Sequence, residues 1–335
     1  MNATPPRRGI YTAQGLLAVL FWSTSIAFSR TLTERLGPLT AAAAIHLLAG
    51  SLSMLGYVRD PDALRRALRL PKRYLLGAGA LFVAYMLALY LAVGLSRDRA
   101  QAVEVGVVNY LWPGMTLLFA VPVLKRRARW TLLPGTALAF GGAVVAIAQT
   151  GPPTWTGFLE RLLENPLPYA LALAAATAWG CYSTCCRRWM GSREEHALPL
   201  FLLAAGLVLL GLRARYAETS DWSGSTGWIL AYMSVLPTLA AYACWDRAMR
   251  KGDLVLVASA SHATPLLSTL LSCALLGVKL TAGLWVACAM VIAGALVCRF
   301  SIGGEPVAPL DPSGSARATA MRNSPAKRAP STPLR

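Results

Sequence analysis

The chain has 335 residues, of which 56% are hydrophobic and only 14% are charged, and its mean hydropathy is +0.50. Soluble domains usually have about 25% charged residues, so this composition excludes an ordinary soluble globule. The formal net charge of +17 is of the kind that ordinarily indicates a nucleic-acid partner. The distribution of the charges along the chain argues against that partner.

Ten apolar segments follow one another along the chain, each close to the length of about 20 residues with which a helix crosses a bilayer. They are 11–30, 38–58, 74–95, 102–123, 131–149, 168–188, 197–212, 227–248, 254–276 and 281–300. The connectors between them are short and leave no room for a soluble catalytic domain. We therefore predict an all-α integral membrane protein of ten transmembrane helices, with the lipid bilayer as its partner.

Three further segments lie outside the predicted spans. Residues 1–10 form a short basic lead, for which a cleaved signal peptide is the alternative, although no small-x-small cleavage motif follows it. Residues 150–167 form a linker on the external side. Residues 301–335 are rich in Pro, Ser, Ala and Arg without an apolar period, so we predict a disordered cytoplasmic tail.

The cysteines indicate neither a disulfide framework nor a metal site. All seven fall inside the predicted spans, and disulfides of secreted proteins belong in loops that face an oxidising compartment. Cys181 and Cys185 lie four residues apart on one helical face, but no His or carboxylate lies near them in the sequence. Packing of small residues is the better interpretation, and we expect no metal and no cofactor.

Lys and Arg are distributed unevenly between the two sides of the predicted bundle. With the N-terminus placed in the cytoplasm, 24 of them fall on the inner side and 8 on the outer side. Cytoplasmic loops of membrane proteins are enriched in Lys and Arg, so this distribution places both termini in the cytoplasm. It also explains the basic net charge without any nucleic acid.

The second half of the chain repeats the pattern of the first at an offset of 152 residues, which becomes 157 farther upstream. The aligned pairs include Trp22 and Trp179, Tyr90 and Tyr242, Pro113 and Pro265, and Gly142 and Gly294. The two copies, 11–149 and 168–300, have five spans each, and an odd number inserts the second copy in the opposite orientation. Inverted repeats are the usual architecture of alternating-access transporters, although channels have them too.

Several of these residues together resemble a known family. They are the Trp22-Ser23 and Trp179-Gly180 pairs in the first helix of each copy, Pro113 and Pro265 in the fourth, and the glycines of the fifth. Over residues 11–300 the chain resembles the EamA-type branch of the drug/metabolite transporter superfamily, and its aromatic centre is similar to the YddG-type exporters of aromatic amino acids. The resemblance implies a multi-pass exporter of small neutral metabolites in a bacterial-type inner membrane.

Aromatic and polar side chains near the middle of the spans form the candidate substrate site, because a Tyr hydroxyl or Trp N–H at that depth needs a partner or a wet cavity. The predicted substrate-binding residues are Trp22, Tyr85, Tyr90, Asn109, Tyr110, Trp112, Trp179, Tyr182, Tyr242 and His262. Rings suit an aromatic or hydrophobic amino acid, and hydroxyl and amide groups suit its zwitterion. Packing against neighbouring helices is the alternative for each residue, and aromatics near span ends, such as Tyr74, Trp130, Tyr169, Trp228 and Phe300, are assigned to the interfacial belt.

Ionisable groups are scarce inside the spans. Glu104 and Asp246 are the only acidic residues there, and both lie near span ends, where a helix-end role suits them better than proton relay. His46 is interpreted as a helix-packing histidine. A midplane without carboxylate, Lys or Arg disfavours a proton-coupled cation antiporter and a phosphate-ester carrier. We therefore expect facilitated movement of a neutral or zwitterionic solute.

Pro113 and Pro265 occupy matching places in the fourth and ninth spans, where each removes a helical hydrogen bond and opens a kink. We predict that these bends are hinges, with a static kink as the alternative. The sequence thus favours an exporter of aromatic or hydrophobic amino acids that works by alternating access. A broad drug exporter of the same fold is one alternative, and a membrane-embedded enzyme or assembly factor is another.

Overall fold

The computed structural model describes residues 8–148, 155–191, 193–276 and 282–303, and these are almost entirely helical. The helices are α1 (Arg8–Leu36), α2 (Pro38–Arg59), α3 (Pro61–Leu68), α4 (Gly79–Gly94), α5 (Arg99–Asn109), α6 (Trp112–Val123), α7 (Leu132–Ala148), α8 (Trp155–Glu164), α9 (Leu167–Met190), α10 (Leu198–Arg213), α11 (Thr226–Met233), α12 (Ala241–Lys251), α13 (Leu254–Ala260), α14 (Thr264–Leu276) and α15 (Ala282–Ser301). Two π-helical segments, Arg73–Ala78 and Ser234–Ala240, lead into α4 and α12, and a 3₁₀ turn, Ser261–Ala263, leads into α14.

This architecture confirms the predicted all-helical class. Within the described ranges, five helical segments are long and apolar enough to cross a membrane by length and composition, namely Pro38–Arg59, Arg73–Gly94, Ala100–Val123, Thr226–Lys251 and Ala282–Ser301. Shorter apolar helices lie at Leu132–Ala146, Leu198–Arg213 and Leu254–Ser268. Helix is present in every one of the ten predicted spans, while the number of membrane crossings stays a prediction.

Two of the predicted connectors contain short helices. The predicted linker 150–167 contains α8, an amphipathic helix that also carries Glu160, Arg161 and Glu164. The connector after α2 contains α3, whose first turn is capped by the Asp60 carboxylate. The predicted disordered tail lies outside the described residues, apart from 301–303, and so do residues 1–7 of the basic lead.

Two glycines that align between the copies bring the last helices of the copies, α7 and α15, into close contact. A Cβ atom on Gly142 would lie 2.8 Å from the backbone nitrogen of Val291, and one on Gly294 would overlap the backbone of Ala139. No larger residue fits at either position without moving a helix. Small residues at such crossings are typical of helices that pack in lipid.

The fourth and ninth predicted spans are interrupted at the same place. In the fourth span α5 ends at Asn109 and α6 begins at Trp112, and in the ninth a 3₁₀ turn separates α13 from α14, which begins at Thr264. Trp112 and Thr264 are one repeat offset apart. Pro113 and Pro265 are the second residues of their helices, where the missing N–H costs little, so each proline begins a new helical segment rather than kinking a continuous one.

The helix ends meet in two sets of connectors, which we name after the short helices they contain. The α8 end includes the connectors 95–98 and 214–225, and the α3 end includes 124–131 and 191–197. At the α8 end the carboxylate of Glu218 accepts hydrogen bonds from the backbone N–H groups of Leu39 and Thr40, at 2.9 and 2.8 Å, and so caps α2. At the α3 end Ala128 pairs with Ile302 in an isolated antiparallel bridge.

One residue at the α3 end has an unusual backbone. Lys125 follows the last turn of α6 with a φ angle of 52°, in the left-handed region that favours glycine. The N–H of Arg126 donates to the carbonyl of Val121 at 3.0 Å, which is the hydrogen bond of a Schellman motif. A left-handed conformation at a non-glycine residue costs about 1–2 kcal/mol, so this turn ends α6 with some strain.

Candidate functional site

A cavity of about 210 Å³ lies between helices of both sequence copies. Its walls come from α1, α2, α4, α5 and α6 of the first copy and from α9, α11, α12, α14 and the π-helical segment of the second. The lining residues are Trp22, Ser25, Ser29, His46, Tyr85, Leu89, Tyr90, Gly106, Asn109, Tyr110, Trp112, Trp179, Met233, Pro237, Thr238, Tyr242 and Thr264. The break between α5 and α6 therefore faces this cavity directly with Asn109, Tyr110 and Trp112.

Most of the predicted binding residues meet at this cavity. The exceptions among the ten are Tyr182 and His262, which the structure does not place on its wall. Tyr182 is 1% exposed and stacks on Trp179 with ring centroids 5.1 Å apart. His262 is 3% exposed and faces Gly114 of α6, although it aligns with Tyr110 in the repeat. The repeat thus reproduces the position of the backbone there and not the direction of the side chain.

The ring of Trp22 stands at the centre of an aromatic cluster on the cavity wall. Its centroid lies 5.8 Å from those of Trp112 and Trp179, 5.5 Å from that of Tyr242 and 5.2 Å from that of Trp245. These separations are in the range of favourable edge-to-face and tilted ring contacts. Trp245 was absent from the prediction because it lies near the end of its span, where an aromatic suggests the membrane interface.

The π-helical segment explains how the indole of Trp22 is satisfied at this depth. The N–H of Ala241 bonds to the carbonyls of Leu236 and Thr238, so the carbonyl of Pro237 has no helical partner at the usual spacing. The Nε1–H of Trp22 donates to that carbonyl at 2.9 Å. This bond joins α1 to the eighth span, across the two copies. Pro237 and Thr238 are site residues that were not predicted, and the proline within an apolar span was the available signal for them.

The cavity is closed toward the α3 end by aromatic side chains. Phe82, Tyr182 and Trp245 lie nearer that end of their helices than the wall residues do, and each is at most 1% exposed. The Nε1–H of Trp245 donates to the hydroxyl of Ser183 at 3.1 Å. Toward the α8 end the wall continues to Ser29, Gly106 and Met233. The hollow part of the core is therefore the half toward the α8 end.

His46 lies on the cavity wall, which differs from its predicted role in helix packing. Its Nδ1 atom lies 2.8 Å from the carbonyl of Ala42, one turn earlier in α2, and its ring meets that of Tyr90 edge-on at 6.0 Å. The side chain is 1% exposed, and its Nε2 atom has no hydrogen-bond partner among the described residues. The buried Oδ1 atom of Asn109 has none there either. A buried polar atom without a partner is costly, so both atoms are candidates for ligand contacts.

Two hydroxyl groups on the wall donate hydrogen bonds to backbone carbonyls three residues earlier in the chain. Ser25 donates to the carbonyl of Trp22 at 2.7 Å, and Thr264 donates to that of Ser261 at 2.8 Å. Their oxygens remain free to accept. Of the residues that the structure describes, none with a formal charge lines the cavity. The site can therefore bind by ring contacts and by hydrogen bonds to neutral donors and acceptors.

Both acidic residues of the spans form ion pairs outside the cavity wall. Glu104, in α5, accepts hydrogen bonds from the guanidinium of Arg161 in α8 and from the hydroxyl of Tyr169. The hydrogen bond with Glu104 raises the pKa of Arg161 above its usual range. Asp246 accepts from Nε of Arg250, one turn later in α12, at 2.9 Å. Glu104 therefore connects α5 to α8 and α9, whereas the ion pair of Asp246 lies within α12.

Exposure divides the residues predicted for the interfacial belt into two groups. Trp130, Trp228 and Phe300 are 81%, 54% and 74% exposed, as belt residues should be. Tyr74 and Tyr169 were assigned to the belt wrongly, because they are buried. The hydroxyl of Tyr169 reaches Glu104, and that of Tyr74 accepts a hydrogen bond from the backbone N–H of Ala197 at 3.2 Å. Both tyrosines connect helices at the bundle ends instead of facing lipid headgroups.

The described part of the chain contains no cluster of three or more His, Cys, Asp or Glu side chains arranged to hold a metal ion. Cys181 and Cys185 have free thiols, and they lie on α9 among apolar neighbours.

The model of the EamA-like transporter family matches this chain twice, over residues 8–148 and 166–300. The double match supports a duplicated repeat, and its two parts correspond closely to the copies found in the sequence. The residues between the two matches include α8. The protein is therefore a multi-pass, all-helical membrane protein with several apolar spans.

Curated relatives align over nearly their whole length. A protein of Escherichia coli (strain K12) named aromatic amino acid exporter YddG is 33% identical over 288 residues, which cover 86% of this chain and 96% of the relative. The proteins of the same name from Salmonella typhimurium and Ancylobacter novellus are 32% and 29% identical, and they cover 86% and 87% of this chain. A solved crystal structure superimposes with a TM-score of 0.71 at 27% identity, over 87% of this chain and 97% of its own.

Proposed function

The chain belongs to the EamA-like transporter family, a family of membrane transporters and not of enzymes, and we propose that it exports aromatic or hydrophobic amino acids by alternating access. The observation that carries this proposal is the uncharged cavity between the two copies, whose wall is formed largely by Trp and Tyr rings. Stacking and edge-to-face contacts suit an aromatic side chain. The relatives named as aromatic amino acid exporters support the same substrate class.

The size of the cavity supports a small metabolite as the substrate. Its volume of about 210 Å³ lies below the roughly 300 Å³ at which pockets for drug-sized ligands begin. A single amino acid is a better match to that volume than a large hydrophobic drug. We propose Trp22, Tyr85, Tyr110, Trp112 and Trp179 as the principal ring contacts.

We further propose that the ten spans are two inverted five-helix copies with both termini in the cytoplasm, so that the α8 end is external. This orientation rests on the excess of Lys and Arg in the connectors of the α3 end. In that orientation the cavity is closed toward the cytoplasm by Phe82, Tyr182 and Trp245. The conformation is then the outward-facing one of an alternating-access cycle.

The matched breaks at Pro113 and Pro265 supply candidate hinges for that cycle. Discontinuous helices at corresponding positions of two inverted copies commonly lie beside the binding sites of secondary transporters. The break before Pro113 faces the cavity with Asn109 and Tyr110, so movement there would change the site directly. We propose that α6 and α14 turn about these breaks as one side of the cavity closes and the other opens.

The ion pairs of Glu104 and Asp246 favour facilitated uniport. Proton-coupled carriers often use an intramembrane carboxylate that gains and loses its proton with the substrate, and both of these are held by arginines away from the cavity wall. We therefore propose that the substrate moves down its own gradient, with no proton taken up or released.

Uptake into proteoliposomes tests the proposal. Purified protein is reconstituted, and entry of labelled Trp and Phe is measured with and without a pH gradient. We expect saturable uptake that does not depend on the gradient. Uptake only with a proton gradient would contradict uniport, and no uptake of either amino acid would contradict the substrate class. Protein-free liposomes and the Trp112→Ala variant are the controls.

Export of hydrophobic cations is a second candidate, because one observation favours it. The wall offers ring faces and acceptor atoms and no Lys or Arg, and such surfaces attract cations. Competition separates the two functions. A hydrophobic quaternary cation that displaces labelled Trp more strongly than unlabelled Phe does would favour the drug exporter.

A further inference from the structure

We propose that the cavity selects its substrate by the ammonium group, which is bound by hydrogen-bond acceptors, with Nε2 of His46 as the main acceptor and Oδ1 of Asn109 as the second. The inference rests on the proposed function, since it states which group of an amino acid the site recognises. It goes beyond that function by predicting that the carboxylate contributes much less to binding affinity than the ammonium does.

The hydrogen bond at Nδ1 determines which nitrogen of His46 can accept. Nδ1 lies 2.8 Å from the carbonyl oxygen of Ala42, and a carbonyl oxygen has only lone pairs, so Nδ1 must donate its hydrogen. A neutral imidazole has a single N–H group, so Nε2 then presents a lone pair. The ring is 1% exposed, with no formally charged neighbour on the cavity wall, and such surroundings favour the neutral form.

Asn109 adds a second acceptor. The Oδ1 atom of its side chain is buried and has no partner among the described residues. Its position at the last residue of α5 leaves the side chain on the cavity wall beside the break. The hydroxyls of Ser25 and Thr264 donate to backbone carbonyls, so their oxygens are further acceptors on the same wall.

The hydrogen-bond donors available to a carboxylate are all neutral. No Arg or Lys side chain from the described ranges reaches the wall, so a carboxylate would meet only neutral donors such as the hydroxyls of Tyr90 and Tyr110. Hydrogen bonds to either charged group are charge-assisted, but only an ammonium meets the two buried acceptors without partners and is also attracted to the faces of the surrounding rings. The balance of these interactions makes the ammonium the group that decides affinity.

Two derivatives of tryptophan test this assignment in wild-type protein. The methyl ester keeps the ammonium and removes the negative charge, whereas N-acetyltryptophan keeps the carboxylate and removes the ammonium. Each competes with labelled Trp for the purified, reconstituted protein. We expect the ester to compete within about threefold of Trp and the acetyl compound to be weaker by about tenfold or more, as the loss of a hydrogen bond to a charged group implies. The reverse order would overturn the inference.

Substitutions at position 46 test the residue itself. His46→Phe keeps a ring of similar size and removes the acceptor, so we expect about tenfold weaker Trp binding and the loss of the preference for ester over acetyl compound. His46→Gln returns an amide oxygen near the former Nε2 and should restore that preference. A packing role alone would change stability without changing the preference. Trp binding and preference as in wild type for His46→Phe would overturn the role of His46.

A control and a further ligand separate the possible failures. His196, in the connector 191–197 and outside the cavity wall, is the matched control, and His196→Gln should keep both affinity and preference. Tryptamine, which has the ammonium and lacks the carboxylate, is the further ligand. Transport of Trp with equal competition by both derivatives would retain the proposed function and overturn this inference. Binding of tryptamine without Trp transport would retain the acceptor site and overturn amino-acid export, and binding of neither would overturn both.

Discussion

The two broken spans have the same backbone plan and different chemistry. In the first copy the break presents Asn109, Tyr110 and Trp112 to the cavity, whereas in the second copy only Thr264 reaches the wall. Between α13 and α14 the chain forms a 3₁₀ turn, and His262 within it faces Gly114. The first break thus forms much of the candidate site, and the second packs behind it.

The difference shows what an internal repeat preserves. Residues that are 152 or 157 positions apart agree in where helices begin, where helices break and where glycines permit close contact. These features are properties of the backbone. The wall side chains differ between the copies, since Trp112 of the first copy corresponds to Thr264 of the second. The following predictions test how far the two copies differ in function.

The largest difference is expected between Trp112 and its counterpart Thr264. Trp112 is 5% exposed and contacts the rings of Trp22, Trp179 and Trp245. Trp112→Ala should lower the free energy of unfolding by about 3–5 kcal/mol, as for other buried Trp residues, and abolish Trp transport. Thr264→Ala removes one hydrogen bond to its own helix and should cost about 1 kcal/mol or less. Thermal unfolding in detergent and uptake by proteoliposomes measure both, and equal effects of the two variants would contradict the asymmetry.

A second difference is expected between Gly180 and Ser23, which follow the aligned tryptophans. A Cβ atom on Gly180 would lie 2.9 and 3.0 Å from backbone atoms of Met115 and Thr116 in α6. Gly180→Ser should therefore destabilise the protein by about 1–3 kcal/mol through overpacking. Ser23→Gly removes the Cβ and a hydroxyl that donates to Val19 at 2.8 Å and places a glycine inside α1, which should cost about 1 kcal/mol and so have the smaller effect. Melting temperatures in the same detergent compare them, and a larger loss for Ser23→Gly would refute this account of the close contact.

The two prolines should matter for rate more than for stability. Pro113→Ala and Pro265→Ala act at the second residue of a helix, where the cost or gain is expected to stay within about 1 kcal/mol. If the breaks are hinges, both variants should transport more slowly while binding Trp with unchanged affinity, and Pro113→Ala should be the slower because its break faces the cavity. Full transport activity of both variants would contradict the hinge proposal.

The smallest effect is expected at Lys125, whose counterpart in the sequence repeat is Gly277, a residue outside the described ranges. Lys125 has a φ angle of 52°, a conformation in which glycine has no Cβ to strain. Lys125→Gly should raise the free energy of unfolding by about 1 kcal/mol, whereas Lys125→Ala should not. Thermal unfolding of the pair measures the difference, and a lower melting temperature for Lys125→Gly would show that its side chain stabilises the fold.

The sequence was sufficient for features that depend on local composition and spacing. Apolar segments predicted the helical class, and the matched prolines predicted where the fourth and ninth spans are disrupted. Depth along each helix predicted eight of the seventeen residues on the cavity wall. Tyr182 and His262 were the exceptions, because depth does not determine which face of a helix turns inward. The unpartnered Nε2 of His46 and the hydrogen bond from Trp22 to the carbonyl of Pro237 depend on contacts between distant segments, which no periodicity reveals.

The close group of Trp22, Trp112, Trp179 and Trp245 has a practical consequence for measurement. The six distances between their ring centroids lie between 5.2 and 6.3 Å, so their electronic transitions are coupled. Coupled indoles in a rigid arrangement give a strong near-ultraviolet circular dichroism signal, which depends on tertiary packing. Three of the four line the cavity. The protein therefore contains its own optical reporter, and a colourless, non-aromatic ligand that displaced one indole would be detected without any label.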